Sequence, residues 1–334
     1  MRREFTLTLV ALALLALTAC SVETEVTPPN PSQGNAISFD SVSTRAGLSD
    51  IQDNGFGVWA FIDNTTVQNY VLMDNQEVTY NDGVWTYSPL KYWIDDTVFT
   101  FMATYPYDVT GDNFTVDTVN KAIKLAVNET PSQVDYLVAE NVTNTSVDGY
   151  NTTVPLQFKH MLTSVNLNIW RDGGKHQNDQ MRITKVTLSN IRKNGSYSSA
   201  TDMWTYDGDK LTVEEVNTNL SDSDNIGAAT NNNGSLTTGG IPANPFGTMM
   251  LLPQALDSSN LVSLKIEYQL KRQNAASWET AELETVLPTI TWIAGQQYTY
   301  NVVLSSVTDI TVYYIQTKVD PWGTPQVGGT VIIK

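Results

Sequence analysis

Beyond its first twenty residues, this chain never carries apolar residues at the sustained 3.6-residue spacing of a buried helix face. It carries short apolar or alternating runs instead, cut by turn residues. Residues 57–62, 98–103, 122–127 and 136–139 form a first series of such runs. Asn81-Asp82-Gly83, Pro106, Gly111 and Pro131 punctuate it. A second series comprises residues 154–158, 164–170, 183–188, 249–252, 261–270, 297–304 and 310–319. Within residues 164–170, Val165, Leu167 and Ile169 point one way and their polar neighbours the other, as in a sheet with one wet face. No internal repeat is present. The pattern predicts an all-β protein built of antiparallel β-sandwiches. A length of 334 residues fits two sandwiches better than one. The polar stretch at residues 151–155 sets the expected division, with residues 46–153 as the N-terminal sandwich and 154–334 as the C-terminal one. Residues 217–240, rich in Asn, Ser, Thr and Gly, read as a surface loop or a weak sheet edge.

The start of the chain is of another kind. Arg2 and Arg3 precede an uncharged run from Phe5 to Leu17, too short to span a membrane as a helix. It ends in Leu17-Thr18-Ala19-Cys20, the pattern of a lipoprotein leader. Residues 1–20 are therefore expected to be a signal peptide, cut before Cys20, whose thiol and new amino group then take lipid. Several acyl chains anchor stably because each buried methylene contributes about 0.8 kcal/mol. Cys20 is the only cysteine, so no internal disulfide can form. Residues 21–34, with Pro28, Pro29 and Pro31, read as an extended tether. Ile37 and Phe39 then alternate with polar neighbours as a short strand, and Arg45 stands in a segment of small residues. The net charge of −16 disfavours nucleic acid and anionic membrane surfaces as partners.

Several segments, taken together, resemble the fimbrillin family, the type V pilins of Gram-negative bacteria. They are the leader ending at Cys20, Phe101-Met102-Ala103-Thr104-Tyr105-Pro106, and Leu156-Gln157-Phe158-Lys159-His160-Met161-Leu162. Further along come Leu251-Leu252-Pro253-Gln254, the run from Trp292 to Tyr300, and Val319-Asp320-Pro321-Trp322. The resemblance implies two tandem transthyretin-like sandwiches and a structural subunit delivered by its lipid to the outer membrane. It also implies other pilin subunits as partners in a homopolymer, and a surface fimbria as the destination. Read from its neighbours alone, Arg45 is a surface arginine in a linker. The resemblance implies that a maturation protease cuts between Arg45 and Ala46, removing residues 21–45 with Ile37, Phe39 and Val42. The vacated groove would then accept a strand from a neighbouring subunit. Val327, Val331 and Ile333 share one face of the C-terminal tail and are the expected donor strand; residues 308–319 read equally as a donor or as a strand closing their own sandwich.

Other signals point to no chemistry. His160 and His176, the only histidines, lack the neighbours of a metal site or a nucleophilic triad. Asp207-Gly208-Asp209 and Ser221-Asp222-Ser223-Asp224 read as turns rather than calcium loops. No catalytic residue, cofactor or metal is expected, and the chain does not read as an enzyme. Trp59, Trp85, Trp93 and Trp204 suit a buried core or the stacking of sugars, so a monomeric carbohydrate-binding surface lipoprotein is the alternative reading. An adhesive tip subunit, with a receptor on a host or bacterial surface, is another. Asp40-Ser41-Val42, Asp96-Thr97-Val98 and Asp117-Thr118-Val119 match a short bacterial O-glycosylation pattern.

Overall fold

The computed structural model describes residues 36–44, 48–108, 110–132, 134–139, 141–145, 153–232, 235–304, 310–318 and 330–331. They are nearly all β. The first half supplies β1 (Phe39–Thr44), helix α1 (Leu48–Asn54), β2 (Phe56–Asp63), β3 (Tyr70–Asn81) and β4 (Val84–Thr86). It continues with β5 (Val98–Tyr105), β6 (Phe114–Asp117), β7 (Ala122–Val127), β8 (Leu137–Ala139) and β9 (Val142–Thr145). Next come β10 (Val154–His160), β11 (Thr163–Asp172), β12 (Gln180–Arg192), β13 (Gly195–Ser198), β14 (Met203–Tyr206) and β15 (Lys210–Val216). β16 (Ala228–Asn232), β17 (Ser235–Gly239), β18 (Thr248–Leu251), β19 (Gln254–Leu256) and β20 (Ser263–Lys271) follow. The last are β21 (Glu279–Val286), β22 (Ile290–Trp292), β23 (Gln296–Leu304), β24 (Ile310–Lys318) and β25 (Thr330–Val331).

The first sheet has the order β1-β10-β8-β5-β2-β3-β4, with β9 also paired to β5. β2 and β5 lie at its centre and are buried on both faces, which accounts for their largely apolar runs. Phe56, Val58, Ala60, Ile62, Phe99, Phe101 and Ala103 enter a core closed by Ile51 of α1 and by Trp93. On the other face Trp59, Phe61 and Met102 meet Phe114, Ile123, Leu125 and Val127, from the facing sheet β14-β13-β7-β6.

The second sandwich packs the sheet β17-β16-β11-β23-β24-β25 over β15-β12-β20-β21. Val165, Leu167, Ile169, Tyr298, Tyr300 and Val302 meet Val186, Leu188, Leu264, Ile266 and Tyr268. Strict alternation in β20 leaves its polar residues on a wet face, where Lys265 reaches Glu282 at 2.9 Å. The pairing is mostly antiparallel, but β1–β10, β11–β16 and β11–β23 are parallel. Within residues 217–240, expected as surface loop or weak edge, β16 and β17 pair antiparallel at the end of this sheet.

Three strands depart from the expected tandem division at residues 153/154. β10 pairs with β8 and β1, and its Val154, Leu156 and Phe158 enter the first core. The first sheet therefore runs on to His160. The β13–β14 hairpin, far along the second series, pairs back onto β7. Contacts group residues 31–334 as one unit; the other, residues 1–30, lies outside the described residues.

The crossing from the first sheet to its facing sheet is built on Asp108. Its Oδ1 accepts from Thr110 N at 3.2 Å, Thr110 Oγ1 at 2.9 Å and Gly111 N at 3.1 Å. Its Oδ2 accepts from Asn113 N at 2.9 Å and Phe114 N at 3.2 Å, and Asn75 Nδ2 donates to its carbonyl at 2.7 Å. Burial works to raise the pKa of this carboxyl, but the hydrogen bonds to the charged form prevail and hold it below the usual value. Because the folded pKa lies below the unfolded one of about 3.9, the stabilisation is present above that pH and is lost as pH falls through the folded value. Asp108→Asn should cost about 1–3 kcal/mol at pH 7 in urea unfolding. The gap between variant and parent should narrow below about pH 4.

Candidate functional site

Among the described residues β1 is the outermost strand of the first sheet, with β10 as its one strand partner. The register is Phe39–Val154, Asp40–Pro155, Ser43–Gln157 and Thr44–Phe158, with an irregularity between Asp40 and Ser43. Just before the strand, Ile37 N donates to Lys91 O at 2.8 Å and Val154 N donates to Ser38 O at 2.8 Å. The Tyr87 hydroxyl donates to Ile37 O at 2.8 Å. Burial pushes the pKa of that hydroxyl up to about 12, so it remains a neutral donor across ordinary pH.

The side chains reach further into the fold than the backbone does. Ile37 is 1% exposed and Phe39 4%. The Phe39 ring meets Phe56, Tyr87 and Phe101 edge-on, with centroids 6.2, 5.7 and 6.2 Å away. This edge strand thus roofs the core on which the central strands depend. Burying Ile37 and Phe39 contributes roughly 3–6 kcal/mol. Taking residues 36–44 away would bare those rings, leave Val154 N without the Ser38 acceptor, and take one hydrogen bond each from Lys91 O and the Tyr87 hydroxyl, which still meet each other at 3.2 Å. The chain that follows stays anchored, because Ile51 of α1 is fully buried in the same core.

The other expected site residues are placed as follows. Val42 lies within β1, its side chain outside the described residues. Arg45 and Ala46 lie outside them too, between the end of β1 and the start of α1, as do Cys20, Val327 and Ile333. β24 pairs with β23 along its whole length, from Leu304–Ile310 to Gln296–Lys318, and so closes its own sheet. Val331 pairs with Val312 and Thr330 with Tyr313, at the end of that same sheet. His160 Nδ1 sits 2.6 Å from Asp135 Oδ2. His176 Nδ1 sits 2.8 Å from Asp179 Oδ2. Among the described residues no group of three or more His, Cys, Asp or Glu can hold a metal, and no helix is long and apolar enough to cross a membrane. Trp59 and Trp93 are core residues, 5% and 1% exposed, and unavailable to a ligand.

The run from Trp292 to Tyr300 forms a corner that sequence reasoning marked without a structural account. The Tyr298 hydroxyl donates to Thr291 O at 2.8 Å and accepts from Ile293 N at 3.1 Å. Trp292 Nε1 donates to the Tyr300 hydroxyl at 2.8 Å. Gly295, at φ +70°, closes the corner by donating to Leu162 O at 2.8 Å.

The family model described as fimbrillin-like matches residues 44–322, which includes every strand from β2 to β24. The chain belongs to the fimbrillin-like family. The crystal structure of a fimbrial protein from Bacteroides vulgatus superposes on this fimbrillin-like chain with a TM-score of 0.62 at 19% identity, covering 87% of this chain and 100% of that one. A protein from Bacteroides uniformis, provisionally described as a cell adhesion protein, gives 0.50 at 16% identity, covering 88% and 100%. At these identities the likeness establishes the fold. No curated protein matches the chain. The family is a fimbrial one rather than a known enzyme family, and it implies a cell-surface appendage and assembly with other subunits.

Phe39→Ala should destabilise the fimbrillin-like chain by about 3–5 kcal/mol in urea unfolding, as expected for a phenylalanine lost from a packed core. A cost below about 1 kcal/mol would place that ring outside the core.

Proposed function

We propose that this chain is the structural subunit of a surface fimbria, delivered to the outer membrane by lipid on Cys20 and released for assembly by cleavage between Arg45 and Ala46. The observation that carries the reading is the position of Ile37 and Phe39. They roof the first core from the start of an edge strand, Phe39 within it and Ile37 two residues earlier, and that strand ends at Thr44, one residue before the proposed cut. Cleavage separates β1 from α1, so the strand can leave while the helix holds. The groove left behind favours another extended strand, which would restore main-chain bonds and fill the alternating pockets. The proposed replacement is the tail of a neighbouring subunit, with Val327, Val331 and Ile333 on one face. In the uncut chain Val331 pairs at the end of its own second sheet, so donation requires that short pairing to open. A head-to-tail contact of this kind does not close on itself and yields a filament.

Trypsin treatment of the purified full chain should give ladders on mild-detergent gels. Arg45→Ala should stay unassembled, and deletion of residues 328–334 should leave cleavage intact while abolishing the ladders. Assembly of the Arg45 variant at the parent rate would contradict the cleavage step. Assembly of the truncated chain would contradict donation by the tail.

A further inference from the structure

A cleft of about 560 Å³ opens where the chain passes from β10 to β11, between the β13–β14 hairpin and residues 291–296, which run from β22 through a turn into β23. Its volume lies within the range of small-ligand sites, and it sits at a junction between sheets, where such sites concentrate. One wall is aromatic. Trp204 and Tyr206 lie two apart on β14 and so share a face, with rings within 7° of parallel and centroids 6.5 Å apart. Tyr197, opposite Trp204 on β13, completes the wall. These rings are held in place. The Tyr206 hydroxyl donates to Pro253 O, and the Arg192 guanidinium lies 5.1 Å from the ring centroid. Gly195, paired with Tyr206, leaves space for the ring, since a Cβ there would stand 3.1 Å from Tyr206 Cδ1.

The rim is polar and balanced in charge. The Tyr197 hydroxyl donates to Asp202 Oδ1 at 2.8 Å, which aims a side chain otherwise 76% exposed. Lys159 Nζ stands 3.4 Å from the same oxygen, and its own side chain is 40% exposed. Their charges cancel, so the site favours neither an anion nor a cation. It offers an acceptor, a donor and the Thr291 side chain beside flat aromatic faces. Aromatic faces are electron-rich and attract the weakly positive C–H bonds that a pyranose ring presents on its face. Ring hydroxyls match donors and acceptors set along an edge.

We propose that this cleft binds a neutral saccharide of one or two pyranose rings, stacked on Trp204 and hydrogen-bonded by Asp202, Lys159 and Thr291. The site uses none of the residues invoked for strand exchange, so it stands whether or not the chain polymerises.

The test is saturation-transfer NMR on the full chain in detergent. The probes are methyl mannoside, methyl galactoside, methyl fucoside, N-acetylglucosamine and lactose. At least one sugar should show transfer to its ring protons, with a matching change in tryptophan emission. Trp204→Ala should weaken that binding at least tenfold. Thr291→Trp, at an exposed position, should block it by filling the cleft while leaving thermal unfolding unchanged. No transfer to any of the five sugars overturns the proposal. So does transfer that is equal in the parent and in Thr291→Trp, a variant whose readout does not depend on removing a packed ring.

Discussion

The roofing of the first core by β1 is the contact on which the account turns. Central strands of a sheet secure themselves by pairing on both sides, whereas an outer strand is held on one side only. Here the outer strand and the residues just before it nonetheless carry two packed side chains, Phe39 and Ile37, into the cluster around Phe56 and Phe101. Its main-chain hold is modest and interrupted between Asp40 and Ser43. A strand with a large apolar contribution and a light hydrogen-bond ladder is both necessary to its core and separable from it. That combination, rather than any catalytic group, is what the proposed function uses.

The rest of the fold is braced against the loss of that strand. The first sheet is covered on its second face by β6, β7, β13 and β14, two of which come from beyond the start of the second sandwich. Asp108 fixes the crossing into that layer through its hydrogen bonds to Thr110, Gly111, Asn113 and Phe114. The corner at Trp292 to Tyr300 ties the second sandwich to Leu162, just after β10. Removing β1 therefore opens one face of one core and leaves the second face and the second sandwich closed.

Much of this was legible in the chain. The largely apolar runs at 57–62 and 98–103 are β2 and β5, the strands buried on both faces, and the alternation at Val165, Leu167 and Ile169 marks β11. Ile37 and Phe39 stood out as a short alternating strand. The partners of the strands were not legible. Alternation tells which side chains share a face, but pairing depends on contacts distant in sequence. So β10 read as the head of the second sandwich, although it pairs with β8, and the β13–β14 hairpin gave no sign that it returns to β7. Arg45 had meaning only through the family resemblance, since its neighbours describe an ordinary linker. Of the tryptophans weighed for ligand stacking, composition could not separate Trp59 and Trp93, sealed in cores, from Trp204, which lines a cleft. That distinction comes from the layer each strand joins.

The measurement that bears most directly on the separable roof is thermal unfolding of the chain cut after Arg45 and freed of its N-terminal piece. It is made with and without a synthetic peptide of residues 34–45. A loss of roughly 3–6 kcal/mol should lower the midpoint by about 6–20 °C, and the peptide should restore it. An unchanged midpoint, with no effect of the peptide, would mean that the first core does not depend on β1.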